Sequence, residues 1–188
     1  MTATTPNARR FLQILTLAVA AGVSGGLFAG GEEHDELLPA ADNAKWRSEC
    51  ASCHQLYHPA LLPERSWRKM MSGLNRHFGE NAKLDKDTQK EITEFLAAHA
   101  ADRSANRRAQ KIARTVAADQ TPLRASETGY FTIKHNEIRA EIWQRKAIGS
   151  KANCTACHAA AEKGNFDEHQ VRIPLRSHLR CRSRRLKA

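Results

Sequence analysis

The stretch Cys50-Ala51-Ser52-Cys53-His54 decides how this chain is read, and it returns as Cys154-Thr155-Ala156-Cys157-His158. Both have the form C-x-x-C-H, the pattern by which a c-type haem is attached. Two thiols three residues apart on one helical turn reach the two vinyl groups of a single porphyrin and form thioethers. The adjacent imidazole then meets the iron. Two copies imply two haems in a chain of 188 residues. Other uses of paired cysteines explain less. A four-thiolate zinc site commonly joins its pairs across a short gap, whereas these pairs begin at 50 and 154. A redox dithiol asks for a βαβ setting that this sequence does not offer. Neither accounts for a histidine directly after both pairs.

The N-terminus agrees with attachment outside the cytoplasm. Arg9 and Arg10 precede an uncharged run from Phe11 to Gly31, rich in Leu, Ala, Val and Gly. A basic start, an apolar middle and small residues form a secretory signal pattern. The run is also just long enough to stay as a membrane anchor, but Gly22, Gly25 and Gly26 weaken its hydrophobicity and favour the signal. The expected localisation is therefore periplasmic.

The formal net charge is +10. An exported basic protein is expected to meet an anionic membrane surface or an acidic protein partner rather than nucleic acid. Aromatic residues make up only 6% of the chain, so two porphyrins would supply apolar bulk that the side chains do not. Four of the five cysteines serve the two motifs, and Cys181 is left over. There is no nucleotide-binding loop, hydrolase triad or zinc-protease motif, and an enzyme is not expected.

The apolar pattern predicts a mostly α chain divided into a segment 1–31, a first haem lobe over 32–101, a connecting polar helix over 102–120, a second haem lobe over 121–175 and a basic tail over 176–188. A short helix leads from Lys45 into the first motif. Trp67, Met70, Met71 and Leu74 follow the i, i+3, i+4, i+7 spacing of a helix from Glu64 to Arg76. Gly79 is its expected stop. Asp85 begins a helix that runs to about Ala101, with Ile92, Phe95, Leu96 and His99 on one face. Thr121 to Thr132 reads as a loop, and Asn136 as the cap of a helix that stops at Gly149. The tail from Arg172 to Ala188 has seven Lys or Arg and no acid, and reads as a solvated end or an electrostatic contact.

Each motif supplies one axial ligand, His54 or His158. What fills the opposite face decides the function. Two strong protein ligands make an electron carrier, and an open face makes a haem enzyme or a gas sensor. Met70 and Met71 are available, but their spacing already satisfies a packing role. Among the other histidines, His34 and His178 lie near the termini, His99 suits a helix end, and His58 follows His54 too closely to reach the far face. His169 is a further uncommitted histidine, and His77, 23 residues after His54, and His135, 19 residues before Cys154, have the spacing for the chain to wrap a porphyrin.

The whole pattern resembles the small bacterial dihaem cytochromes c, often called DHC. The resemblance is carried by Trp46, Glu49-Cys50, Cys53-His54, Tyr57, Pro59, Leu61-Leu62-Pro63, Ser66-Trp67, Met70-Met71, Leu74 and the run His77-Phe78-Gly79-Glu80-Asn81-Ala82. It continues through His135, Glu137-Ile138, Trp143, Asn153-Cys154, Ala156-Cys157-His158, Gly164, Phe166-Asp167 and Ile173-Pro174. It implies a mostly α fold in two small lobes and two low-spin, bis-histidine haems. It also implies electron delivery between a membrane b-type cytochrome and a soluble haem protein. The distal ligands then fall on His77 for the first haem and His135 for the second, with a crossed assignment left open. His58 departs from the family, where a small residue or proline is expected, and its role is open.

Overall fold

The computed structural model describes residues 37–175, all within one compact unit that begins at Glu33. The segment 1–31, His34, His178, Cys181 and the basic tail lie outside the described residues. Among the described residues six α-helices run in the order α1 Ala44–Cys50, α2 Glu64–Ser72, α3 Lys86–Ala98, α4 Arg107–Arg114, α5 Gly129–Lys134 and α6 Ala140–Trp143, joined by short 3-10 turns. Among the described residues there is no β-strand, only an isolated bridge between His77 and Glu80. The mostly α class expected from the sequence is what the chain forms.

The first core follows from the apolar stripes. α1 is started by Asn43, whose side chain accepts from the Trp46 N–H at 2.8 Å. α3 is started by Asp85, which accepts from the N–H groups of Asp87 and Thr88. The two helices bring Trp46 and Phe95 together at 5.3 Å between ring centres. Trp67, Met71 and Leu74 then close on Ile92 and Leu96, all buried. Each such side chain contributes roughly 1.5–3 kcal/mol by leaving water. The Trp67 indole N–H is satisfied by the Pro59 carbonyl at 2.7 Å.

α2 is shorter than its stripe predicts. It stops at Ser72 with Gly73 as its cap, and a 3-10 turn at Leu74–Arg76 keeps Leu74 on the buried face. Gly79 is not the helix stop. With φ +103 it shares a tight turn with Phe78, whose φ is +51.

A second, smaller cluster of Leu38, Ala60 and Ala109 joins the N-terminal lead to the second half, with Phe166 packed against it. The Leu38 N–H donates to the Gly164 carbonyl at 3.0 Å. Gly164 has φ +74, and a Cβ there would stand 2.9 Å from the Leu38 Cβ, so backbone and space both require glycine. Beside it His58 is buried. Its Nδ1 accepts from the Ala60 N–H at 3.1 Å, so its Nε2 carries the hydrogen donated to the Pro39 carbonyl at 2.7 Å. This residue, which the family resemblance left without a role, ties the lead to the turn at Pro59–Leu61.

The helix expected over 102–120 is a 3-10 turn at Ala101–Arg103 followed by α4. α4 buries Ala109 and Ile112. Arg65, on α2, donates to the carbonyls of Val116, Ala117 and Gln120 just beyond the end of α4.

The second half departs further from expectation. The loop read over 121–132 contains α5, capped by the Thr128 hydroxyl, which accepts from the Phe131 N–H at 3.2 Å. The helix expected from Asn136 to Gly149 is only α6, one turn long. The cause is packing. Ile138, Ile142 and Trp143 all line a cavity, with Trp143 also against Phe131 and His135, so their periodicity is not locked into a longer helix by a packed core.

Candidate haem centres

The first C-x-x-C-H lies where α1 ends. Cys50 is its last residue, and Cys53 and His54 follow in the turn. Together they open onto a cavity of about 660 Å³ walled by Trp46, Trp67, Met70, Met71 and Leu74. The second motif lies on a 3-10 turn, Cys154–Ala156, and opens onto a cavity of about 310 Å³ walled by Phe131, Ile142, Trp143, Ile148 and Phe166.

Each cavity holds a second imidazole. His77 stands with its ring centre 6.0 Å from that of His54, the planes 27° apart. His135 stands 6.1 Å from His158, the planes 77° apart. Two imidazoles sharing one metal, each with a bond of roughly 2 Å and about 1.1 Å from nitrogen to ring centre, should stand about 6.2 Å apart. The hydrogen bonds on the other ring nitrogens agree. His54 Nδ1–H donates to the Gln55 carbonyl at 2.6 Å and His135 Nδ1–H to the Phe131 carbonyl at 2.8 Å, leaving Nε2 for a metal. Such a bond orients a ligating histidine and fixes its tautomer. Burial holds His77 and His135 below the ordinary histidine range, with the His54 and Arg124 charges adding at His77, so both stay neutral with a lone pair to give.

His77 sits at the base of its tight turn. Its N–H donates to the Glu80 carbonyl at 2.8 Å, and the Glu80 N–H returns to the His77 carbonyl at 3.0 Å. Phe78, left-handed at φ +51, lies under the Arg124 guanidinium at 4.0 Å. His58, His99 and His169 line neither cavity. Met70 and Met71 line the first, but Met71 is also part of the buried core.

The thiols do not resemble a reactive dithiol. Burial pushes Cys50 up to about 11, helped by the Glu49 carboxylate, and pushes Cys154 and Cys157 upward as well. Among the described residues no group of three His, Cys, Asp or Glu converges as a metal site. The two cysteine pairs therefore do not form one four-thiolate centre.

Sequence reasoning missed what joins the motifs. Gln55 donates to the Ala152 carbonyl at 3.0 Å and accepts from the Thr155 N–H at 3.0 Å. The Tyr57 hydroxyl donates to the same Ala152 carbonyl at 2.8 Å. The Leu56 N–H donates to Glu162 at 2.9 Å. The two motifs are thus stitched through their own flanks. Leu61, Ala125, Phe131, Lys151 and Cys154 line both cavities. Phe131 could not be read as one of them, because the loop expected over 121–132 hid the helical turn that sets it before His135.

The sequence model of the dihaem cytochrome c family matches residues 46–166, a span that takes in both motifs. The chain belongs to that family. It is 40% identical to a diheme cytochrome c from Rhodobacter sphaeroides, over 70% of this chain and 100% of that one, with a TM-score of 0.60. It is 37% identical to a diheme cytochrome type c from Shewanella baltica, over 70% of this chain and 93% of that one, with a TM-score of 0.58. No curated protein matches it. As a dihaem cytochrome c it carries two covalently bound haem c groups, and the two cavities fit them: each is apolar, opens beside a thiol pair and sets two imidazoles across from one another. Members of the family are typically exported and are generally electron carriers. Among the described residues no helix is long and apolar enough to cross a membrane.

Proposed function

We propose that this dihaem cytochrome c is an exported electron carrier in which both axial faces of each iron are closed by histidine: His54 with His77 at the first haem, His158 with His135 at the second. The observation that supports it is the pair of ring-centre separations, 6.0 and 6.1 Å, at the spacing two imidazoles need to share one metal. Each haem supplies an iron that gains and loses one electron.

The chain's part is to keep that exchange free of bond making. Gln55 and Phe131 hold His54 and His135 by their carbonyls. The turn at Phe78-Gly79 holds His77. With both faces closed there is no position for a substrate. The apolar walls exclude water, and nitrogen ligands on both sides keep the potentials below those of histidine–methionine cytochromes. The hydrogen bonds of Gln55 and Tyr57 to residues 152–155 tie the two motifs together, so haems held there would exchange electrons without domain motion. In this reading residues 32–101 carry the first haem and 121–175 the second.

The basic signal-like start supports export. The net charge of +10 suits an acidic redox partner or an anionic membrane surface. A membrane b-type cytochrome as donor and a soluble haem protein as acceptor complete the proposal. Carbon monoxide tests it. Added to the reduced native protein, it should leave the absorption of both haems unchanged. Binding at one haem per molecule would replace the carrier by a haem enzyme or gas sensor.

A further inference from the structure

The two imidazole pairs match in spacing but not in orientation. The planes of His54 and His77 lie 27° apart, close to parallel, and those of His135 and His158 lie 77° apart, close to crossed. The second angle has a visible cause. His135 ends α5, and its Nδ1–H is held by the Phe131 carbonyl at 2.8 Å. The Phe131 ring lies flat on the His135 ring, 4.0 Å between centres and 18° between planes. Trp143 closes the side of the same imidazole at 5.7 Å. A ring stacked so closely and tethered at one nitrogen cannot turn about its metal bond without moving Phe131.

We infer that Phe131 is a positioning residue that holds the second haem in a crossed-ligand state, so that the two haems of this protein are electronically distinct. The inference rests on the bis-histidine ligation proposed above. Its physical basis is ligand-field symmetry. A bound imidazole donates π density into the iron d orbital perpendicular to its own ring plane. Parallel rings both raise one orbital of the d pair, split it widely and give a rhombic low-spin iron. Crossed rings raise both orbitals together and leave the pair nearly degenerate, which gives a strongly axial low-spin iron. Axial ligands are among the main levers by which a protein tunes a haem.

Electron paramagnetic resonance of the oxidised native protein reads this directly. One rhombic low-spin signal and one large-g, strongly axial low-spin signal, of equal spin, are expected. Two rhombic low-spin signals would overturn the inference and leave the ligation standing. A high-spin signal from either iron would overturn the ligation and the inference with it. The role of Phe131 is tested by substitution. Phe131→Ala should lose the axial signal in favour of a rhombic one, while the first haem, whose cavity Phe131 also lines but whose histidines it does not stack on, stays rhombic and low-spin. Phe131→Tyr, which keeps the ring, should retain the axial signal. An axial signal that persists in Phe131→Ala would remove Phe131 from the role, because the carbonyl alone would then suffice. If Phe131→Ala fails to incorporate haem, Phe131→Leu provides the same comparison with the bulk kept.

Discussion

His58 carries the prediction most open to calculation. It is 3% exposed and makes two hydrogen bonds, accepting from the Ala60 N–H at 3.1 Å and donating to the Pro39 carbonyl at 2.7 Å. Removing its ring by His58→Ala leaves two polar backbone groups without partners, at about 1–3 kcal/mol each when buried. A loss of about 3 kcal/mol is expected, which for a folded region of this size lowers the unfolding midpoint by roughly 10 °C. The effect depends on pH in a defined direction. Burial, with the nearby His99 charge, lowers the His58 pKa below 6.5, against the hydrogen bond to Pro39. The unfolded chain therefore binds the proton more readily than the folded one. The stability His58 contributes is present above about pH 6.5 and is lost as the pH falls below it, by at most about 1.4 kcal/mol per pH unit. The assay is guanidinium unfolding of the haem-loaded protein, followed by far-ultraviolet circular dichroism between pH 5 and 8. The gap between native protein and variant should be widest near pH 8 and narrow toward pH 5. A gap that is absent, or that widens in acid, would refute the reasoning.

Three further outcomes follow from single positions. His77→Ala should turn one haem of two high-spin and open it to carbon monoxide while the other stays low-spin; no change in the absorption spectrum would show that His77 is not a ligand. Gly164→Ala meets both a φ of +74 and a Cβ 2.9 Å from that of Leu38, and should cost roughly 2–4 kcal/mol of unfolding free energy; a loss under about 0.5 kcal/mol counts against the described backbone. Gln55→Ala removes both bonds to the second motif, at 3.0 Å each. It should cost about 1–2 kcal/mol and slow transfer between the haems in flash photolysis, whereas an unchanged rate would mean that the stitching does not set their distance.

The parts of the fold legible in the sequence are those where side chains pack on side chains. Trp67, Met71 and Leu74 repeat at helical spacing because they bury on Ile92 and Leu96, and Asp85 announces α3 because its side chain has N–H groups to satisfy. Around the second motif that logic lapses. Ile138, Ile142 and Trp143 keep a helical rhythm but face a cavity, so the rhythm promised a long helix where one turn forms. α5 was illegible for the opposite reason: Gly129 and the β-branched Thr132 and Ile133 are weak helix formers, and a single cap at Thr128 outweighs them. The two C-x-x-C-H motifs could be read from the spacing alone. His77 and His135 could be singled out by elimination, but their separation from the motif histidines is a distance that no spacing supplies. His58, Arg65 and Gln55 act on backbone carbonyls far along the chain, and a carbonyl leaves no mark in the sequence.

The claim that both irons are closed by two histidines is tested most directly by near-infrared magnetic circular dichroism of the oxidised protein. There the charge-transfer band of each low-spin haem reports its pair of axial ligands. The account predicts bands of bis-imidazole iron alone, with an intensity equal to two haems per chain. A band of histidine–methionine iron, which Met70 or Met71 would produce, or a high-spin band at either centre, would contradict it.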